Sequence, residues 1–121
     1  MLAGSKFAGG AVIANGASVS GALDVRRANL VGFVMPAAWT AAAISLEVSI
    51  DEGTPTNWSA LQDRLSATYP QIATPVVNVA YALDPVKLQG WNWIRFRSGT
   101  TAAPVNQGAA RTIATTAIVP G

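Results

Sequence analysis

Apolar and polar positions alternate with a period of two in several short stretches, and none sustains the 3.6-residue period of a long amphipathic helix. In the clearest stretch Ile44, Leu46, Val48 and Ile50 alternate with Ser45, Glu47, Ser49 and Asp51, which predicts a strand with one core face and one wet face. Val77, Val79, Tyr81 and Leu83 repeat the pattern until Asp84-Pro85 ends it. Leu30-Val31-Gly32-Phe33-Val34-Met35 is apolar on both faces and stopped by Pro36, as in a strand buried on both sides. Ala11-Val12-Ile13-Ala14 closes on Asn15-Gly16, a pair suited to tight hairpins, and residues 17–25 are the candidate return strand. Asp51-Glu52-Gly53-Thr54-Pro55 is turn chemistry, after which Asn57-Trp58-Ser59-Ala60-Leu61 starts another strand. Residues 63–75 and 102–108 read as loops, and Pro85 to Gly90 as one helical turn. Thr- and β-branched-rich Arg111 to Val119 reads as the last strand.

About eight short antiparallel strands with no long helix predict an all-β fold, a single-domain β-sandwich of jelly-roll type over residues 11–121. No internal repeat or linker divides it. Residues 1–10, with Gly4, Gly9 and Gly10, carry too little apolar area to fold alone and read as a flexible arm. Phe7 is the arm's one large anchor for docking on a neighbouring subunit.

One stretch stands apart, Trp91-Asn92-Trp93-Ile94-Arg95-Phe96-Arg97-Ser98-Gly99. As a strand it puts Asn92, Ile94, Phe96 and Ser98 on one side and Trp91, Trp93, Arg95 and Arg97 on the other. Two indoles and two guanidiniums in a row are costly to leave in water. Their face is expected to be covered, by another part of the chain or by another protein. A bulge after Trp93 would instead send both indoles into the core, and an Arg95–Glu47 pair across neighbouring strands would make a surface salt bridge worth about 1 kcal/mol or less.

Composition sharpens this picture. Charged residues are 12% of the 121 residues and apolar ones 50%, against a usual charged share of about 25%. Much of the surface must therefore be small and neutral, or covered in an assembly. The chain has no cysteine and no histidine, which removes disulfides, thiolate metal sites, cysteine nucleophiles and histidine bases together. Its net charge of +2 is spread over scattered basic residues, with only Arg26 and Arg27 adjacent, so nucleic acid is not an expected partner. No apolar run reaches membrane-spanning length, and the first residues lack a signal-peptide core, so no membrane role is expected. Synthesis in the cytoplasm follows from the same reading.

Candidate chemistry is thin. Asp51, Glu52 and Gly53 offer a few oxygens to Ca²⁺, but a hairpin turn accounts for them better. Asp24, Asp51, Asp63 and Asp84 show no acid–base spacing, and no phosphate loop, nucleophile elbow or zinc pattern occurs. No enzyme activity, cofactor or metal is expected. Among the aromatics, Trp58 is expected in the core, while Trp39 and Trp91 are the better surface candidates, for a protein contact or a sugar ring.

The stretches from Phe33-Val34-Met35-Pro36-Ala37-Ala38-Trp39 to Ala42, from Leu46 to Trp58, and from Ile94-Arg95-Phe96-Arg97 through Pro104-Val105-Asn106-Gln107 to Arg111 resemble small virion structural proteins of tailed phages and prophages. The resemblance implies a particle component, such as a capsid decoration, head-fibre, tail or neck protein, with other virion proteins as partners and the virion as location. It carries no site residue over. The run from Ser45 to Leu61 is also similar to discoidin-like carbohydrate-binding sandwiches, with the Asp-Gly turn interrupted by Glu52. A sugar-binding module is thus the alternative. For the particle component, the expected interface residues are Phe7, Trp39, Trp91, Trp93, Arg95 and Arg97, within a homo-oligomer.

Overall fold

The computed structural model describes residues 4–63, 68–70 and 72–120. Eight strands and one helical turn follow in order: β1 (Gly4–Ile13), β2 (Leu23–Asp24), β3 (Asn29–Val34), β4 (Ile44–Ser49), β5 (Ser59–Ala60), β6 (Ala80–Ala82), α1 (Pro85–Leu88), β7 (Trp93–Ser98) and β8 (Arg111–Pro120). They form two four-stranded antiparallel sheets ordered β1-β8-β3-β6 and β2-β7-β4-β5. This is jelly-roll order, in which consecutive strands mostly cross between sheets.

The core is the slab between the sheets. β3, β1 and β8 supply Phe33, Ile13 and Ile113, and β4 and β7 supply Leu46, Ile94 and Phe96, all buried. Phe33 stacks on Tyr81, its register partner in β6, and meets the Phe96 ring edge-on at 5.1 Å across the slab. A bulge between Leu30 and Gly32 lets both Leu30 and Phe33 point inward although they are three residues apart. Met35, just past the strand, is also buried. The Asn15-Gly16 turn forms as expected, with Gly16 at φ +81°. The chain then does not return as a long strand. Instead Ser20 bridges Ile13 of β1, and Val19 bridges Arg97 of β7.

Several expectations are corrected. The arm read over residues 1–10 is, from Gly4 onward, the first part of β1, in register with β8 from Gly4↔Pro120 to Ile13↔Arg111; residues 1–3 lie outside the described residues. A ladder to a distant strand holds this glycine-rich segment, which has no local pattern of its own. The face of β4 expected to be wet is buried throughout, including Ser45, Glu47 and Ser49, whereas Ile50, just past the strand, is 69% exposed. The strand expected from Val76 shrinks to Ala80–Ala82, because Asn78 turns at φ +63° and its N–H donates to Met35 O. Around α1 the reading holds: Asp84 caps the turn by accepting from Val86 N at 3.0 Å, and Pro85 opens it.

Candidate binding surfaces

The regular alternation of β7 carries through without a bulge. Ile94, Phe96 and Ser98 are buried, and Trp93, Arg95 and Arg97 share the opposite face. Trp91 precedes the strand and leaves the row. It packs against the core edge while its Nε1 donates to Lys87 O at 3.4 Å.

Register sets Glu47 of β4 opposite Arg95, with Ser45 opposite Arg97. Glu47 is only 1% exposed. Arg95 donates from Nε to Oε1 at 2.8 Å and sets Nη2 at 2.6 Å from the same oxygen. Arg97 donates from Nε to Oε2 at 2.7 Å, and the Thr101 hydroxyl donates to Oε2 at 2.7 Å. Burial pushes the Glu47 carboxyl up, but hydrogen bonds from Arg97, Thr101 and Arg95 and the charge of Arg95 outweigh it, so the acid sits below its ordinary range. Arg97 also donates from Nη1 to Ser18 Oγ at 2.8 Å, and the Arg95 guanidinium lies 4.3 Å from the Trp58 ring centre. Trp58, expected in the core, is thus a half-exposed lid over an ion cluster. The Arg95–Glu47 pair foreseen as a surface bridge is a buried triad with Arg97.

At the strand's other end the Trp93 Nε1 donates to Asp51 O at 2.9 Å, and Arg26 stands 4.9 Å over its ring. Arg26 pairs with Asp24 at 2.6 Å, and its hydrogen bonds hold the Asp24 carboxyl down to about 2. The Asp51 carboxylate closes its own turn, accepting from Thr56 N at 2.8 Å and Asn57 N at 2.9 Å. Those backbone donors, Asn57 first, bring it to about 2 as well. Both those backbone bonds go to Oδ2, and Oδ1 accepts from Asn57 Nδ2 at 3.3 Å, so the turn engages both oxygens.

Trp39 packs against the core and donates Nε1 to Ala42 O at 3.1 Å. Nearby, sequence reading missed Gln107, which is fully buried. Its Oε1 accepts from Thr40 N at 2.8 Å and Arg111 Nε at 3.1 Å, while its Nε2 donates to Ser98 Oγ at 2.7 Å and Thr40 O at 3.1 Å. A lone glutamine in a polar loop carries no signal of such a role. For Phe7, the structure gives its backbone place in β1 opposite Ala117.

The structure therefore gathers Trp93, Arg95 and Arg97 on one face, adds Trp58 and Glu47 to it, and leaves Trp39 and Trp91 elsewhere. That face is covered from within the chain. The outer face of the other sheet is different. Val12, Val34 and Ile118 are 49%, 40% and 42% exposed there. Register sets them among Gly10, Gly32, Ala80, Ala82, Thr112, Ala114 and Thr116, with Lys6 as the register partner of Ile118, so this face is built mostly of small, neutral residues.

No family model, curated protein or solved structure matches the chain.

Proposed function

We propose that the chain is a non-enzymatic structural component of a bacteriophage particle, a capsid decoration or head-fibre protein ahead of a tail or neck part. On this reading it is made in the host cytoplasm, assembles as a homo-oligomer and sits in the virion beside the major capsid protein or other structural proteins. One observation carries the reading: a four-stranded sheet face built mostly of glycine, alanine and threonine that exposes Val12, Val34 and Ile118, with Lys6 as its register-placed charge. A soluble domain that stays apart from partners disperses charge over its surface; a face of valine, isoleucine, alanine and threonine suits permanent cover. Five of the six acidic side chains favour the same side, since Asp24, Glu47, Asp51, Asp63 and Asp84 each hold a partner within the fold. Jelly rolls serve both capsids and lectins, so the fold alone does not choose. Mass spectrometry of purified particles tests the reading: a stoichiometric protein of 12.4 kDa is expected, and its absence from particles sinks it.

The sugar-binding alternative has one observation in its favour. Two adjoining open grooves of about 440 and 420 Å³ share Trp91, Leu61 and Gln62, with Asn57 on one side and Asp84 on the other. An indole beside amide and carboxylate groups is suited to a pyranose ring. Saturable quenching of tryptophan fluorescence by one glycan, lost in Trp91→Ala, would favour it over the particle reading.

A further inference from the structure

Three of the four sheet edges are short: β6 has three residues and β2 and β5 two each. Short edge strands are a common protection against strand addition. The fourth edge, β1, has ten residues, pairs on one side with β8, and contains no bulge and no proline.

Which of its backbone groups are free follows from parity. Gly21 N donates to Val12 O at 3.2 Å from the side away from β8, so in an antiparallel ladder the even-numbered residues of β1 aim N–H and C=O outward. Val12 is covered by that contact. Gly4, Lys6, Ala8 and Gly10 are left as a run of outward-aimed residues on the edge of the sheet.

We propose that a second copy of this chain pairs with this edge, β1 against β1 in antiparallel fashion about a two-fold axis at Phe7. This rests on the reading of the chain as an assembling subunit and names the surface it uses. The register follows from the free groups. Centring on Phe7 sets Gly4 opposite Gly10 of the second copy and Lys6 opposite its Ala8, and each pair is met twice by symmetry. All four free residues are then used, and Lys6 does not face itself. Centring on Gly9 would require Val12, which Gly21 already occupies. The resulting eight-stranded sheet joins the two outer faces into one continuous surface.

The chain has no cysteine, so Phe7→Cys introduces a single thiol on the axis. There it meets its own copy in a non-hydrogen-bonded pair, at a Cα separation of about 4.5 Å that a disulfide spans. Under mild oxidation this variant is expected to form a covalent dimer on the order of a hundredfold faster than Thr112→Cys, a surface control away from the edge. The wild-type chain should sediment at twice 12.4 kDa. Ala8→Pro removes only an outward N–H, which an edge strand tolerates, and should sediment as a folded monomer. A monomeric wild-type chain, a Phe7→Cys variant no faster than the control, or a folded Ala8→Pro variant that still dimerises overturns the pairing. If Ala8→Pro does not fold, hydrogen exchange of the wild type decides, since the amides of Lys6, Ala8 and Gly10 must slow with rising concentration. A chain present in particles yet monomeric in solution defeats this pairing and leaves the virion reading standing; a Phe7-centred dimer absent from particles does the reverse.

Discussion

Replacing Glu47 by Gln should be among the most damaging conservative changes in the molecule. The carboxylate is 1% exposed and neutralises two guanidiniums that keep only 20% and 14% of their side-chain surface in water. An amide of the same shape leaves both charges without a counter-ion and turns an N–H₂ toward one of them. Removing one member of a buried ion pair costs about 3–5 kcal/mol. The arginines' residual exposure favours the lower end, about 3 kcal/mol. With an unfolding entropy of about 2.1 cal/mol/K per residue, a loss of this size lowers Tm by about 12 °C. Thermal melts and urea unfolding at pH 7 measure it, and Arg97→Ala should cost less in the Glu47→Gln background than alone. Acid titration adds an independent readout. The folded-state pKa of Glu47 is lowered, so its contribution is full above the unfolded value of about 4.3 and fades as pH falls through the folded one. Asp24 and Asp51, both at about 2 in the folded state, fade between about pH 4 and pH 2. Glu47→Gln should flatten this acid limb. A Tm drop below about 3 °C with an unchanged acid limb would show that water screens the triad as it does an ordinary surface bridge.

Phe96→Ala removes the ring that meets Phe33 across the slab and should cost about 3–5 kcal/mol, read as a lower urea midpoint at unchanged slope. Gly99→Ala drives a Cβ into the Ala103 carbonyl oxygen at a φ of +83° and should cost at least about 2 kcal/mol in the same assay. Gln107→Leu strands the Thr40 N–H and Ser98 hydroxyl, for a loss of about 2–3 kcal/mol. Val34→Lys combined with Ile118→Lys on the outer face of the β1-β8-β3-β6 sheet should leave Tm within about 2 °C of wild type yet abolish incorporation into particles, scored by mass spectrometry of purified virions.

Where burial and alternation coincide, the fold was legible in the chain. Ile94 and Phe96 against Arg95 and Arg97, and Leu46 and Val48 against Glu47, sort to the expected sides because one-sided apolar strands have one way to bury their carbon. Alternation cannot say what lies over the polar side. Ser45, Glu47 and Ser49 look like a wet face, and only the arginines of β7 and the loops above them make that face dry. Gly4 to Gly10 has no local preference at all; its strand exists because β8, more than a hundred residues away, offers a ladder. The sequence pattern places Trp58 in the core, but its ring is held by the Arg95 guanidinium, a contact between residues 37 positions apart in sequence. Of the candidate surfaces, the tryptophan–arginine row drew the eye through unusual residues. The outer face of the other sheet is made of ordinary ones, and its apolar stretch shows only once four strands are laid side by side.

The segment through Ser18, Val19 and Ser20 touches both sheets at one corner. Ser20 bridges Ile13, its N–H donates to Phe96 O at 2.9 Å and its hydroxyl accepts from Phe96 N at 2.9 Å, while Ser98 N donates to Ser18 O at 2.7 Å. Mechanically, this corner is a rivet. A load that slides one sheet along the other must stretch these bonds together rather than break them one after another, so the domain resists shear best along its β1–β7 side. A shell that swells from within, as a filling container does, pulls its components sideways, and a part fastened at this corner would carry that strain with its slab of packed rings undisturbed.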